Sequence, residues 1–209
     1  MTAKGANAVP AKTYADVPGF EASGPIDLVA MAGGAADVEL EIGFGRGRFA
    51  LERAGGNPAS FVVAVETRRK YVHTAAVAAA ARGLCNVVSR HGDARELVAR
   101  FAPDGCLARV FINFPDPWWK ARHAKRTVVT ASLAGEVARL LRPGGELYVQ
   151  TDVAPRAEAF RAALTGEPRL VPVAPGGFVD ENPHGAVSNR ERRCLDAGVP
   201  IFRLRYLRS

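Results

Sequence analysis

A short segment of the chain places a carboxylate between two prolines and directly before a pair of tryptophans. Pro115 and Pro117 stiffen the backbone around Asp116 and fix where its carboxylate points. Trp118 and Trp119 are the only tryptophans in the chain. Aromatic rings stack on bases and clustered cations hold phosphates, so the segment is typical of a nucleic-acid site. The cations that follow are Lys120, Arg122, Lys125 and Arg126.

The alternative for this segment is a loop anchored by tryptophan beside a solvated, basic start of a helix. An Asp-Pro-Trp sequence next to a basic cluster has no evident packing purpose, which favours the functional interpretation. A second basic group, expected in a loop near the C-terminus, flanks the same pocket: Arg190, Arg192 and Arg193.

A second segment has the form of a loop that binds a ligand through its backbone. Glu41 precedes three glycines with the spacing G-x-G-x-G, which are Gly43, Gly45 and Gly47. Glycines permit a tight turn and the close approach of a ligand. The spacing differs from the G-x-G-x-x-G of dinucleotide-binding folds. With an acid two residues before the first glycine, it resembles the S-adenosylmethionine (SAM) loop of class I methyltransferases. A tight strand-to-helix turn without a ligand is the alternative.

Two further carboxylates follow predicted strands. Glu66 lies 23 residues after Gly43, and an acid about 20 residues after a glycine loop can accept hydrogen bonds from ribose hydroxyls. Its alternative is a solvated carboxylate at a strand end. Asp93 follows the next strand, where a methyltransferase meets the adenine of SAM. Asp93 can also cap a helix that starts near Arg95, and the two roles are compatible.

Alternating strands and helices must position these residues. Strands are predicted at 38–42, 60–66, 86–90, 108–114 and 146–151, and helices at 46–53, 68–82, 96–101, 128–141 and 156–164. This alternation predicts an α/β fold with a doubly wound, mostly parallel, Rossmann-like sheet. An apolar alternation at 201–207 predicts a final antiparallel strand. Since parallel strands share one carboxyl edge, the glycine loop, Glu66, Asp93, the 115–120 loop and Asp152 should open onto that edge.

The chain divides into an arm and a domain. Residues 1–36 are predicted to form a flexible N-terminal arm with a possible short helix at 26–31, since residues 1–25 are rich in alanine, glycine, proline and small polar residues. Residues 37–209 are predicted to form a single domain.

Composition narrows the class of protein. The net charge of +7 attracts polyanions, although charge alone does not separate a nucleic-acid-binding protein from a merely basic one. The three cysteines are widely spaced, without a C-x-x-C motif, and the four histidines show no paired ligand spacing, so no metal is expected. No signal peptide or membrane span is evident, which predicts a cytoplasmic protein.

The motif F-P-D-P-W-x-K-x-R-H-x-K-R at 114–126 resembles the signature of bacterial tRNA (guanine-N7)-methyltransferases. The glycine loop, written E-I-G-F-G-x-G-R-F, is similar to theirs, and so is the sequence Gln150-Thr151-Asp152. The similarity extends from about Glu39 to the C-terminus. It implies a class I methyltransferase that transfers the methyl group of SAM to N7 of a tRNA guanine, expected in the variable loop. It also implies tRNA as the partner, no membrane association, and a monomer or homodimer.

The resemblance also implies residue roles. The SAM-contacting acids are Glu41, Glu66, Asp93 and Asp116, of which Asp116 is also the family's proposed catalytic residue. Lys120 and Asp152 are expected to contact the RNA substrate. The family's T-x-x-E near the C-terminus corresponds to Ser188 and Glu191, and Trp119 stands where proline or histidine is more usual.

Three other functions remain open from the residues alone. A methyltransferase could act on another RNA or on a small molecule, although the tryptophan and basic cluster disfavours the latter. A non-catalytic RNA-binding protein could keep the methyltransferase fold, which the intact acids disfavour. A nicotinamide-dependent oxidoreductase is disfavoured by the glycine spacing.

Overall fold

The centre of the fold is a sheet whose inner strands are apolar on both faces. In this computed structural model, residues 14–115 and 127–209 are described. Val63 and Val65 pack into one core and Val62 and Ala64 into another, because successive side chains of a strand point to opposite faces. A strand buried in this way needs helices on both sides, which is the doubly wound arrangement that the sequence predicts.

Ten strands occur in the part of the chain that the structure describes: β1 (Ile26–Asp27), β2 (Asp37–Ile42), β3 (Ser60–Glu66), β4 (Val87–His91), β5 (Phe101–Ala102), β6 (Leu107–Asn113), β7 (Leu141–Thr151), β8 (Leu170–Pro172), β9 (Phe178–Val179) and β10 (Phe202–Arg208). Eight form the main sheet, in the order β4-β3-β2-β6-β7-β10-β8, with β9 paired to β10. Strands β1 and β5 form a separate parallel pair.

The helices of the described residues are α1 (Leu28–Ala32), α2 (Arg48–Gly56), α3 (Arg69–Ala81), α4 (Ala94–Leu97), α5 (Ala131–Leu140), α6 (Ala154–Thr165) and α7 (Asn189–Asp196). Short 3-10 turns follow at Val98–Arg100 and Pro175–Gly177. Helices α4, α5 and α6 contribute to the larger core, and α2 and α3 contribute to the core on the opposite face. Helices therefore cover the sheet on both sides.

The predicted fold class is confirmed. Strands β2, β3, β4, β6 and β7 are parallel, and β10 pairs antiparallel with β7. The predicted helix at 46–53 begins at Arg48 instead, because Gly47 at its N-cap has a left-handed backbone. The helix predicted from 128 begins at Ala131, since the hydroxyl of Thr130 accepts a hydrogen bond from Leu133 N at 3.2 Å.

Two parts of the prediction were wrong in detail. The helix predicted at 96–101 starts at Ala94 and ends before Phe101, whose backbone pairs with β1. The second basic group was expected in a loop, whereas Arg190, Arg192 and Arg193 lie on α7. The sequence analysis also did not predict β8 or β9, which are three and two residues long.

The described part of the predicted arm contacts the domain at the β4 edge. His91 N donates to Pro18 O at 2.9 Å, and Gly19 forms a parallel bridge with His91. The Tyr14 ring lies 5.4 Å from the His73 ring on α3. Residues 1–13 lie outside the described residues, and the boundary at residue 36 remains a prediction.

The described residues contain neither a candidate membrane span nor a candidate cluster of metal ligands. None of their helices is long and apolar enough to cross a membrane. Among the same residues, no group of three or more His, Cys, Asp or Glu side chains could hold a metal ion.

The amino ends of β2 and β6 enclose a buried ion pair. Glu39 on β2 is fully buried and receives two bonds of 2.7 Å from the guanidinium of Arg53 on α2. Arg109 on β6 adds a third bond to Glu39 at 2.9 Å. The third guanidinium nitrogen of Arg53, Nη1, donates to the carbonyl oxygen of His184 at 3.0 Å. The pair thus joins α2, the sheet and the segment that precedes α7.

Replacing Arg53 with alanine should leave Glu39 with one cation in place of two in a site closed to water. We expect Arg53→Ala to lower the free energy of unfolding by about 3 kcal/mol, measured by urea denaturation. Arg161→Ala is the matched control, because Arg161 pairs with Glu158 on the exposed side of α6, and it should lower the free energy by less than about 0.5 kcal/mol. Equal losses in both variants would contradict the importance assigned to the buried pair.

Candidate active site

A cleft of about 760 Å³ opens at the carboxyl edge of the parallel strands. Its walls come from the residues that follow β2, β3, β4, β6 and β7, together with the beginning of α7. Seven of the residues predicted to act in the site line the cleft: Glu41, Gly43, Gly45, Glu66, Asp93, Asp152 and Ser188. The topology therefore brings together residues that are up to 147 positions apart in the chain (from 41 to 188).

The glycine loop between β2 and α2 has a backbone that favours glycine at three positions. Gly43, Gly45 and Gly47 have φ values of 73°, 57° and 80°, in the left-handed region that side chains disfavour. A Cβ atom on Gly47 would lie 2.8 Å from the Cβ atom of Ala75, so Gly47 also permits the close packing of the loop on α3. A Cβ atom on Gly43 or Gly45 would meet no other atom within 4 Å, and both glycines line the cleft.

Glu66 joins the end of β3 to the glycine loop. One of its carboxylate oxygens, Oε2, accepts a hydrogen bond from Gly45 N at 2.9 Å. The other, Oε1, accepts from Thr67 Oγ1 at 3.1 Å and from Arg68 N at 3.0 Å. A carboxylate has about four acceptor positions, so the three bonds fix its orientation and leave capacity on Oε2 for a hydroxyl donor.

Glu41 is buried beneath the glycine loop, and its side chain is only partly satisfied. Asn113 Nδ2 donates to its Oε1 at 2.8 Å, whereas Oε2 has no hydrogen-bond partner among the described residues. Burial raises the pKa of Glu41 to about 7, the negative charge of Glu66 adds to the rise, and bonds from Asn113 and the Ala50 amide oppose it. A buried carboxylate with a free oxygen at a cleft is suited to a cationic ligand.

Asp93 performs the capping role that the sequence allowed. Its Oδ1 accepts from Arg95 N at 3.0 Å at the start of α4, and the Arg95 guanidinium also bonds to the carboxylate. The bond from Arg95 lowers the pKa of Asp93. A contact between Asp93 and adenine remains a prediction, which its place in the cleft wall supports.

The comparison with known proteins agrees with this geometry. A family model described as "Putative methyltransferase" matches residues 35–204. A "tRNA (guanine-N(7)-)-methyltransferase" from Myxococcus xanthus is 40% identical over 185 residues, which is 88% of this chain and 89% of that protein. A protein of the same name from Anaeromyxobacter dehalogenans is 40% identical over 172 residues, covering 82% of this chain and 86% of the relative. The chain belongs to the tRNA (guanine-N7)-methyltransferase family.

Solved structures of other methyltransferases share the fold. The 30S ribosomal A1408 methyltransferase from an uncultured bacterium has a TM-score of 0.59 at 13% identity, covering 92% of this chain and 98% of that one. The geranyl diphosphate C-methyltransferase of Streptomyces coelicolor, solved with S-adenosyl-L-homocysteine, has a TM-score of 0.54 at 16% identity, covering 87% and 77%. At these identities the likeness concerns the fold alone.

The two C-terminal residues expected to contact substrate begin α7 in a capping box. Ser188 Oγ accepts from Glu191 N at 3.1 Å, and Glu191 Oε2 accepts from Ser188 N at 3.4 Å. Ser188 lines the cleft, whereas Glu191 is buried and also accepts from Gln150, Asn182 and Arg203. Serine keeps the capping hydroxyl of the family's threonine. Substrate contact by either residue remains a prediction.

Asp152 and α7 are joined at the mouth of the cleft. The guanidinium of Arg190 bonds to Asp152 Oδ2, with the Nε atom at 3.1 Å. Arg193 also lines the cleft and is exposed, as is Arg46 of the glycine loop. Exposed cations thus border the cleft both at the glycine loop and at α7.

The segment with the most specific motif lies outside the described residues. This applies to the predictions on Asp116, Trp118, Trp119, Lys120, Arg122, Lys125 and Arg126. Pro115, directly before this segment, and Val128, two residues after it, both line the cleft. Described residues on either side of the segment therefore lie at the site, and the roles of the residues within it remain predictions.

No role was predicted for Asn113, which directly precedes the motif at 114–126, or for Gln150, which belongs to the sequence Gln150-Thr151-Asp152. Both are buried amides near the carboxyl ends of β6 and β7, and both bond to carboxylates of the site. The sequence does contain a signal for such a role, because each amide stands at the end of an otherwise apolar strand. A buried polar group needs a hydrogen-bond partner, so a polar partner nearby could have been expected.

Glu41→Gln should change how stability depends on pH. Because the pKa of Glu41 is raised above its ordinary 4.5, folding favours the protonated form, and the wild type loses stability as pH rises from about 4.5 through 7. Glutamine cannot ionise. Between about pH 5.5 and pH 8, the free energy of unfolding of the variant relative to wild type should rise by about 2 kcal/mol.

Urea denaturation at the two pH values measures this difference. Glu167→Gln is the control, since bonds from Arg169 lower the pKa of Glu167 and keep it ionised throughout this range. Its difference from wild type should not grow with pH. A constant difference for Glu41→Gln would contradict the burial of an ionisable Glu41.

Proposed function

We propose that the protein transfers the methyl group of SAM to the N7 atom of a guanine in tRNA, with the variable loop as the expected position. The observation that carries the proposal is the cleft, where the glycine loop, Glu66 and the partly satisfied Glu41 lie together beside the ends of the family motif. The names of the relatives, which match this chain over most of its length, support the same substrate.

The residues of the cleft fit SAM from one end to the other. Asp93, Glu66 and Glu41 follow or end β4, β3 and β2, which are neighbours in this order in the sheet. We assign Asp93 to the adenine, Glu66 to the ribose hydroxyls and the open faces of Gly43 and Gly45 to the methionine part. Glu41 then faces the cationic end of SAM, where its free oxygen would gain a partner.

Methyl transfer to N7 requires positioning and little acid–base chemistry. The N7 atom of guanine carries a lone pair and no proton, so it can attack the SAM methyl group without a general base. The N7–C bond forms as the C–S bond breaks, and the electron pair of that bond stays on sulfur. The positive charge moves from sulfonium to the guanine ring, so catalysis rests on in-line alignment and on stabilisation of this charge.

Asp116 is the residue we assign to that task. Its carboxylate can accept hydrogen bonds from the Watson–Crick edge of guanine and favours the growing positive charge. Pro115, which directly precedes it, lines the cleft next to Asn113 and Phe114. We place the guanine between this segment and Asp152, with Lys120 as a further substrate contact.

The basic residues account for recognition of the RNA backbone. The chain carries a net charge of +7, and exposed arginines border the cleft at Arg46 and Arg193. We assign Arg122, Lys125 and Arg126 to phosphates. Contacts of this kind recognise the shape of tRNA and weaken steeply with salt.

Two alternatives lead to different outcomes in the same assays. A methyltransferase of another RNA would bind SAM and modify rRNA in preference to tRNA. A non-catalytic RNA-binding protein would bind RNA without binding SAM, which calorimetry detects.

The reaction can be tested on unmodified tRNA with SAM, followed by nuclease digestion and mass spectrometry. We expect 7-methylguanosine with the wild type and none with Asp116→Ala, in which SAM binding should also weaken. The control is Asp196→Ala, which removes a carboxylate at the far end of α7 and should retain activity. Undiminished turnover by Asp116→Ala would refute the role of Asp116.

A double substitution tests the assignment of the basic residues. Lys125→Ala with Arg126→Ala should raise the apparent KM for tRNA by about tenfold and flatten its dependence on salt, because about two phosphate contacts are lost. Arg82→Ala with Arg161→Ala removes the same charge away from the cleft and should change neither quantity. If both double variants show the same KM for tRNA as wild type, the assignment is wrong.

A further inference from the structure

Two buried amides connect the carboxylate beneath the glycine loop with the carboxylate that begins α7. Asn113 Nδ2 donates to Glu41 Oε1 at 2.8 Å. Gln150 Nε2 donates to Asn113 Oδ1 at 2.8 Å and to Glu191 Oε2 at 3.0 Å. The connection therefore crosses β2, β6 and β7, which are neighbours in the sheet, and ends at α7.

The ends of this connection determine the orientation of both amides. Asn113 turns its nitrogen towards Glu41 and its oxygen towards Gln150, which is the orientation that the ionised form of Glu41 requires, because a carboxylate only accepts hydrogen bonds. The amide nitrogen of Gln150 has two hydrogens, and it uses one on Asn113 and the other on Glu191. The single side chain of Gln150 thus bonds to both Asn113 and Glu191, and Glu191 also accepts from Asn182 and Arg203.

All four side chains of this connection are buried, so a lost hydrogen bond between them cannot be replaced by a bond to water. Gln150 is fully buried, Glu41 and Glu191 are each 1% exposed, and Asn113 is 7% exposed. A polar group that loses its partner in such a place is left without water to replace it. Satisfying the two carboxylates therefore requires the amides to stay in this one arrangement.

One end of the connection lines the cleft and the other lies in a helix whose first residues line it. Glu41 lies below the glycine loop on the side assigned to SAM, and its Oε2 has no partner among the described residues. Glu191 caps α7, whose first residues, Asn189 and Arg190, line the cleft with Ser188. A second bond, between Arg190 and Asp152, joins α7 to the residue that directly follows β7.

We propose that Gln150 is a positioning residue that orients Glu41, through Asn113, towards the cationic end of SAM and at the same time seats α7 at the acceptor side of the cleft. The proposal rests on the proposed function, because it takes SAM and tRNA as the two ligands of the cleft. Gln150 itself is not among the residues that line the cleft, so it acts through its neighbours.

A near-isosteric substitution changes the hydrogen-bonding character of this position. In Gln150→Glu, the ionised carboxylate accepts where the amide nitrogen donated to Asn113 Oδ1 and Glu191 Oε2, and the protonated carboxyl has one donor in place of two. Once position 150 is ionised, Asn113 is expected to turn its nitrogen towards it and its oxygen towards Glu41. Glu41 then loses the bond that favours its ionised form, and α7 loses one of the two bonds that join it to the end of β7 and to Asp152.

Calorimetric titration with SAM alone, from about pH 6 to pH 9, measures the first effect. For Gln150→Glu we expect the Kd for SAM near pH 7 to rise by about tenfold and the pH midpoint of binding to move upward. The groups that face Glu41 and enter this profile are Glu66, Asn113 and the Ala50 amide. Titration of SAM itself is common to all variants and cancels in the comparison.

A second variant separates the two sides of the cleft and covers the case in which Gln150→Glu does not fold. Asn113→Ser removes the donor to Glu41 and introduces no charge, so it should shift SAM binding in the same direction. Within the described part of the chain, the Asn113 side chain bonds to Glu41 and Gln150 and not to α7. The apparent KM for tRNA should therefore rise in Gln150→Glu and stay near wild type in Asn113→Ser.

Asn86→Asp is the matched control. The Asn86 amide donates to the carbonyls of Ala54, Asn57 and Ser60, away from the cleft. This variant should lower the melting temperature without changing the Kd or the pH midpoint for SAM. A merely structural role for Gln150 would give the same pattern in Gln150→Glu, and that result would overturn the proposal. An unshifted pH midpoint in folded Asn113→Ser would also overturn it.

The two proposals fail in different ways. If the wild type binds SAM but forms no 7-methylguanosine in tRNA, the proposed substrate is wrong, while the SAM titrations still decide whether Gln150 orients Glu41. If 7-methylguanosine forms and the titrations show no shift in either variant, the proposed function stands and the positioning role is refuted.

Discussion

The arrangement of the site depends on one constraint, which is that the inner strands of the sheet are covered by helices on both faces. Polar side chains cannot be accommodated along such strands without partners, so they collect at the strand ends. At the amino ends, Arg53 and Arg109 neutralise Glu39. At the carboxyl ends, Asn113 and Gln150 bond to carboxylates without neutralising them. Of the two buried carboxylates Glu39 and Glu41, the second has amide and not guanidinium partners among the described residues, so its ionised form offers a negative charge that a cationic ligand can use.

The difference between the two edges is also electrostatic. Glu39 has two guanidinium partners, so its burial is compensated within the protein. Glu41 has amide partners only, and burial together with Glu66 raises its pKa to about 7. The surroundings of Glu41 thus disfavour the ionised form of its carboxyl group. Binding of the sulfonium or ammonium of SAM would supply the missing compensation, which couples the charge of this carboxylate to occupancy of the cleft.

Much of the fold could be predicted from the sequence because its signals are local. Alternating apolar strands and helices predict the parallel sheet, and the alternation at 201–207 predicts the antiparallel β10 that the structure confirms. Strands β8 and β9 carry no such signal, since two or three residues are too short for a pattern. Helix α7 was missed because its residues are mostly charged, so no apolar period marks it, although Ser188 and Glu191 have the spacing of a capping box.

For the candidate site, several residues could be predicted from the sequence, but the contacts between them could not. The glycine loop, Glu66 and Asp93 were predictable because backbone turns and strand ends leave marks in the sequence. The bonds from Gly45 to Glu66 and from Gln150 to Glu191 were not, because they join residues 21 and 41 positions apart whose proximity follows from the order of the strands. Residue types show which groups can act, while the sheet topology decides which of them meet.

Ser188, which corresponds to the threonine of the T-x-x-E motif, begins α7 through its hydroxyl oxygen. In a capping box, the hydroxyl oxygen accepts from the backbone of the third helical residue, and threonine and serine present the same oxygen. The missing methyl group therefore does not alter the bond that begins α7. Glu191 contributes the second half of the box with the same oxygen that receives Gln150 Nε2. Because one carboxylate oxygen serves both bonds, capping of α7 and its attachment to β7 depend on the same side chain, which positions the cleft-lining residues at the start of α7.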